Sequence, residues 1–347
     1  MRPPSRATLL AALLAAAVAT AAAAEETTIC DLPRIPGQKE VVMLFWRGPT
    51  EVERGVLDHV RANGLSFNVT CLSADRDGSN IPAMVAEAKR LAPDLVYTWG
   101  TSVTRATVGE HQSVDPDVHV TDRPVLFTMV SYPVGSGIVP AFDAPRANVT
   151  GATHTVPLGA QIRAMQAYRP LKRLGVIYNP LENNSIVNIR KLREIAEQTG
   201  FDLIAEPVDL DAEGRPDPGS LPDLIARIAQ REPQFLYIGP DSFIGAHRDT
   251  VIGGAIAHGL PAFTSTELEI LRGRAMIGLV TGYYNLGRYM GFLIERVLFD
   301  RESPGDIPVS TLSRFTYALR FGVAEELGLY PPLEVLNYAR IVDRETP

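Results

Sequence analysis

Hydrophobic residues recur along this chain in two alternating patterns. Short runs that are apolar at nearly every position read as strands covered on both faces. They fall at 39–46, 66–72, 94–99 and 124–130, then at 174–178, 201–208, 234–238, 261–264 and 275–280. Between them, apolar residues take helical spacing, as in Val52, Val56, Leu57 and Val60, or Ile81, Met84, Val85, Ala88 and Leu91. Further helices are expected from about 103, through Leu158, Ile162, Met165 and Tyr168, over 186–199 up to Gly200, and from 220. Another reaches His258, and a long one carries Leu286, Met290, Leu293, Ile294 and Val297 on one face. Ser79 or Asn80, and Ser220, are the expected caps. Segment 312–319 alternates like a strand, and two short helices close the chain, the second from Pro331-Pro332. Strands alternating with helices predict an α/β fold of parallel sheets flanked by helices. The pattern runs twice, with Asn148-Val149-Thr150-Gly151 as the connection between two Rossmann-like lobes. Stretch 174–187 (LGVIYNPLENNSIV) is the most explicit unit: strand, polar turn, helix start. In open α/β sheets that geometry holds a ligand.

The first 24 residues change the picture of where the protein works. Arg2 and Arg6 precede an Ala/Leu run that ends in small residues before Glu25-Glu26. This is the layout of a cleaved signal peptide (1–24), the alternative being an uncleaved anchor. No Cys follows the run directly, so lipidation is not expected. Loss of the two arginines takes the formal charge of −7 to −9. An acidic exported protein is a poor partner for nucleic acid or anionic membrane. Roughly 320 remaining residues call for two lobes. Cys30 and Cys71 are the two cysteines. Outside the cytoplasm a disulfide is expected, with two free thiols as the alternative.

Reactive chemistry is hard to find. GxSxG, GxxxxGK[ST] and GxGxxG are absent; Gly135-Ser136-Gly137 lacks the third glycine. The six histidines are scattered, and no pair has metal spacing. Glu267 and Glu269 stand two apart and point differently on a helix. Three Asn-x-Ser/Thr sites, at Asn68, Asn148 and Asn183, matter only in a eukaryotic secretory route. No catalytic residue, metal or cofactor is therefore expected. What recurs is a polar turn at the end of each strand: Trp46-Arg47-Gly48, Gly100-Thr101-Ser102, Ser131-Tyr132, Asn179 with Asn184-Ser185, Asp241-Ser242 and Thr266-Glu267. Hydroxyls and helix-start N–H groups suit a small anion. Asp241 and Glu267 suit an ammonium, and Trp46, Tyr132 and Tyr283 offer aromatic walls. Each Ser, Thr or Asn taken singly is equally a helix cap.

The segment NVTGATHTVPLGAQIRAMQAYRPLKRLGVIYNPLENNSIVNIRKL (148–192) resembles the ABC-transporter substrate-binding proteins of the TrpX-like family. The likeness continues through Pro133–Gly137, Tyr237–Ser242, Gly282–Gly287 and Ala324–Pro331, spanning about 38–343. It implies a type I periplasmic binding-protein fold in which two lobes, linked by three crossovers, close on a small solute. The lobes implied are 38–152 plus 281–311 and 153–280 plus 312–343. Thr101, Ser102, Ser131, Asn184, Ser185, Asp241 and Glu267 match the family's ligand-contacting turns. The chain departs from the family at Tyr132 and Gly282, where Asp is common. The second Asp, a natural partner for an α-ammonium, is absent here, and Arg47 and Tyr132 point instead to an anionic or aromatic ligand; the expected solute is amino acid-like or a small organic anion. The expectation is a monomeric periplasmic solute-binding protein that delivers to an ABC permease and its ATPase. The alternatives are a sensory partner of a membrane histidine kinase or chemoreceptor, and a two-lobed glycosyltransferase-like enzyme.

Overall fold

A computed structural model describes residues 28–342 of the chain. The expected signal peptide, 1–24, lies outside the described residues. The first series of elements is β1 (Lys39–Phe45), α1 (Glu51–Ala62), β2 (Phe67–Ser73), α2 (Ile81–Leu91), β3 (Leu95–Trp99), α3 (Thr101–Val108), β4 (Val125–Thr128) and β5 (Val149–Thr153). The second is α4 (Leu158–Tyr168), β6 (Arg173–Tyr178), α5 (Asn183–Thr199), β7 (Asp202–Pro207), α6 (Leu221–Ala229), β8 (Phe235–Ile238), α7 (Ser242–Ala246), α8 (Arg248–Ala257), β9 (Ala262–Thr264), α9 (Glu267–Leu271) and β10 (Ile277–Val280). The chain closes with α10 (Tyr283–Leu298), β11 (Ser310–Thr311), β12 (Thr316–Leu319), α11 (Phe321–Glu326), α12 (Leu333–Leu336) and β13 (Arg340–Ile341).

The strands form two sheets, ordered β2-β1-β3-β4-β5-β11 and β7-β6-β8-β9-β10-β12-β13. Among the described residues, these strands pair in parallel except β10 with β12. Apolar side chains on both faces explain the unbroken runs. Val41, Met43 and Phe45 of β1 pack into one layer with α1 and α10, while Val42 and Leu44 pack into another with α2. The second sheet has its own core around Val176, Phe235, Tyr237 and Phe263.

The chain crosses between the sheets three times: from β5 to α4, from β10 to α10, and from β11 to β12. The middle crossing returns α10 to the first sheet, where it packs on α1 at backbone contact. A Cβ on Gly287 would lie 1.8 Å from the Val52 carbonyl oxygen, and one on Gly55 2.2 Å from that of Tyr284. Cys30 and Cys71 are joined in a disulfide, with Cα atoms 5.7 Å apart.

Three local expectations need correction. Asn148–Gly151 is not a bare connection but enters β5. Its small polar residues hide a buried strand, in which Thr150 satisfies its hydroxyl on the Ile307 carbonyl at 2.6 Å. Segment 312–319 is a strand only from Thr316, because 312–315 carries the third crossing. Ser79, Asn80 and Ser220 make no side-chain cap; Asp77 and Asp217 instead hold the N–H groups of Ser79 and Gly219. Each caps a 3-10 turn wound ahead of a helix with Pro in its first turn.

Candidate functional site

In each sheet the strand order reverses beside its first strand, between β1 and β3 and between β6 and β8. Loops leaving neighbouring strands in opposite directions open a crevice there, at the carboxyl ends. The two crevices face each other and make one cleft. The first sheet contributes Trp46 and Arg47 after β1, Gly100 to Ser102 after β3, Met129 and Ser131 after β4, and His154 after β5. The second contributes Glu182 and Asn184, Asp241 and Ser242, and Thr266 and Glu269; Tyr283 enters from α10. The cavity holds about 70 Å³, several times the ~10–15 Å³ that one water needs. That suits a small solute rather than a polymer.

The first wall is aromatic and donor-rich. Gly100, at φ +92°, turns β3 directly into α3, whose first N–H groups have no side-chain cap. The Arg47 guanidinium stacks on Trp99, 4.9 Å from the ring centroid, and forms no ion pair among the described residues. His154 is buried edge-on to Tyr283, centroids 6.2 Å apart. Burial, then the Arg47 charge, lowers its pKa to about 3, so the imidazole is neutral. Its Nδ1 and the indole Nε1 of Trp99 are buried without a hydrogen-bond partner among the described residues. Met129 adopts φ +55°, a left-handed backbone that costs a side-chain-bearing residue energy and that clusters at functional sites.

The second wall is acidic. Glu182 reaches back from the β6–α5 turn to accept the Ser242 N–H at 2.9 Å, the Ser242 hydroxyl at 2.8 Å and Asn184 Nδ2 at 2.8 Å. Burial, then the Asp241 carboxylate, pushes its pKa up to about 7. Asp241 is also raised by burial, although it accepts from Ile244 N–H, Ser185 hydroxyl and Asn179 N–H. Glu269 is 5% exposed and accepts the Thr266 hydroxyl on Oε2, and burial raises its pKa.

Of the residues expected from sequence, Trp46, Arg47, Thr101, Ser102, Ser131, Asn184, Asp241, Ser242 and Tyr283 line this cleft. Four lie elsewhere. Asn179 and Ser185 are spent on Asp241. Glu267 accepts the Tyr283 N–H at 2.7 Å and caps α10. Tyr132 bonds to Asn188 across the cleft edge. Sequence reasoning missed Trp99, His154, Glu182 and Glu269. Trp99 read as a strand end and His154 followed an unrecognised strand. Glu182 sat inside a turn already singled out. Glu269 was visible beside Glu267, and the helix geometry of α9 sends the second carboxylate inward.

A model of the ABC transporter substrate binding protein family matches residues 47–342. The chain belongs to this family. As a substrate-binding protein it is similar to the tyrosine-binding protein of Clostridioides difficile (strain R20291), at 26% identity over 72% of this chain and 67% of that one. An ABC domain in complex with L-Trp from Streptococcus pneumonia superposes with a TM-score of 0.75, at 21% identity over 87% of this chain and 99% of that one. A conserved domain protein of Vibrio cholerae gives 0.76, at 20% identity over 89% and 100%. These structures establish the type I periplasmic binding-protein fold for this substrate-binding protein.

Proposed function

We propose that the cleft captures a zwitterionic amino acid with an aromatic side chain, for delivery to an ABC permease outside the cytoplasm. The observation that carries this is the cleft's polarity. The first wall presents Arg47 and the uncapped start of α3, which favour a carboxylate. The second presents Glu182, Asp241 and Glu269, which favour an ammonium. Trp99, Trp46 and Tyr283 supply flat apolar surface between them. The loss of an acid at Gly282 is offset by Glu269. The similarity to a tyrosine-binding protein and to an L-Trp complex supports the same solute class. In this reading the first sheet with α10 and the second sheet are lobes hinged at the three crossings, and solute contact with both walls favours closure.

Isothermal titration with L-Tyr, L-Trp and L-Phe tests the proposal, alongside tyramine and 3-(4-hydroxyphenyl)propionate, which each lack one charge. At least one amino acid binds, and each single-charge analogue binds at least about 100-fold more weakly, since each leaves a buried charge unanswered. Equal binding of tyramine and tyrosine sinks the polarity argument; no binding by any aromatic amino acid sinks the solute class.

A further inference from the structure

Tyr132 follows β4 on the first sheet's side, and its hydroxyl donates to Asn188 Oδ1 at 2.5 Å. Asn188 is buried on α5, a helix of the second sheet. Burial holds the phenol pKa well above its ordinary value, so the hydroxyl stays a donor. Lys191, one turn further along α5, sits over the Tyr132 ring at 5.9 Å from the centroid. Beside it, a Cβ on Gly135 would come within 2.8 Å of Val187 Cγ1, so the turn after β4 closes tightly on α5. None of these groups lines the solute cleft; Tyr132, Gly135 and Lys191 instead line a neighbouring cavity that shares Ser131 with it. Protein groups outside the cleft thus join the first sheet's side to the second.

We propose that Tyr132 and Asn188 form an inter-lobe latch: positioning residues that set how firmly solute is held without touching it. The inference rests on the binding role proposed above. Apparent affinity is the intrinsic affinity of the closed form multiplied by the fraction of molecules that are closed. A contact made only on closure raises that fraction for every solute alike. Losing one buried neutral hydrogen bond shifts such an equilibrium by about three- to tenfold.

Tyr132→Phe keeps the ring and its contact with Lys191 and removes only the hydroxyl. The expected result is a Kd raised about three- to tenfold by the same factor for every solute, mostly through faster dissociation. In an Asn188→Ser background the same substitution adds nothing. Thermal melts of the ligand-free proteins check that the variants fold. A solute-free readout accompanies these: electron–electron distances between nitroxides at Val118→Cys and Leu210→Cys, exposed positions flanking the first and second sheets. The native cysteines are already bonded, so only the introduced thiols take label. Tyr132→Phe should deplete the closed-lobe distance population before any solute is added. An unchanged distance distribution overturns the latch. So does an affinity loss that differs from solute to solute, which would make Tyr132 a solute contact. The distance measurement needs no ligand, so it stands even if no aromatic amino acid binds.

Discussion

Replacing Glu269 by Gln removes one charge from the cleft with little change in shape, and its consequences can be worked in both states. In the ligand-free protein Glu269 is 5% exposed and accepts the Thr266 hydroxyl on Oε2. Burial outweighs that hydrogen bond and raises its pKa. A carboxyl whose folded pKa exceeds its unfolded value contributes stability below about pH 4.5, and loses it as pH rises through the folded value. Gln mimics the protonated form, so the ligand-free variant should be more stable than the parent at pH 7–8, by up to about 1–2 kcal/mol, with the gain vanishing near pH 4. Binding moves the other way. An α-ammonium held against this carboxylate loses its buried counter-charge, which costs about 2–4 kcal/mol, or roughly 30- to 1,000-fold in Kd. Thermal melts across pH 4–8 and titration calorimetry at pH 7.5 read the two effects separately. Weaker binding together with a higher ligand-free melting temperature is the expected signature. A variant that binds like the parent, or that melts lower at pH 7.5 without solute, refutes the assignment of Glu269 as ammonium acceptor.

Other consequences follow from the same geometry. An ammonium arriving beside Glu182, whose pKa is about 7 in the free cleft, lowers that pKa and expels a proton. Affinity should therefore rise between pH 5 and 7 and level off above, and calorimetry in buffers of different ionisation enthalpy should count the released proton. Arg47→Met keeps apolar cover on Trp99 but removes the cation stacked there; solute affinity should fall at least about 30-fold while the ligand-free melting temperature moves little. Gly287→Ala drives a methyl group into the Val52 carbonyl, and should destabilise by about 1–3 kcal/mol in urea titrations. Reducing Cys30–Cys71, which stand 41 residues apart in the chain, should cost about 4 kcal/mol by the loop-closure model, seen as a lower melting temperature with solute affinity retained.

Much of this protein is written in local pattern. Short runs apolar at nearly every position, bounded by turn residues, read as strands covered on both faces, so β1, β3, β6 and β8 and the α/β class were legible from the sequence. The polar turns after those strands were legible too, because a helix start must expose N–H groups at its first turn. That reasoning located Arg47, Thr101, Ser102, Asn184, Asp241 and Ser242 in the cleft. It failed for β5, whose Thr150 and Gly151 look like a turn until the Ile307 carbonyl takes the hydroxyl and β4 crowds the glycine.

Only the tertiary structure decided what each polar group is for. Asn179 and Ser185 stand in the right turn, yet both are consumed by Asp241. Glu267 and Glu269 are chemically identical and two residues apart. One caps α10 through the Tyr283 N–H, and the other points into the cleft. Tyr132 leaves the solute to grip Asn188, 56 residues on. A sequence states which donors and acceptors exist and which stretch holds them. Whether a group meets a solute, a helix end or the opposite lobe depends on distances set by three crossings of the chain, and no local pattern encodes those.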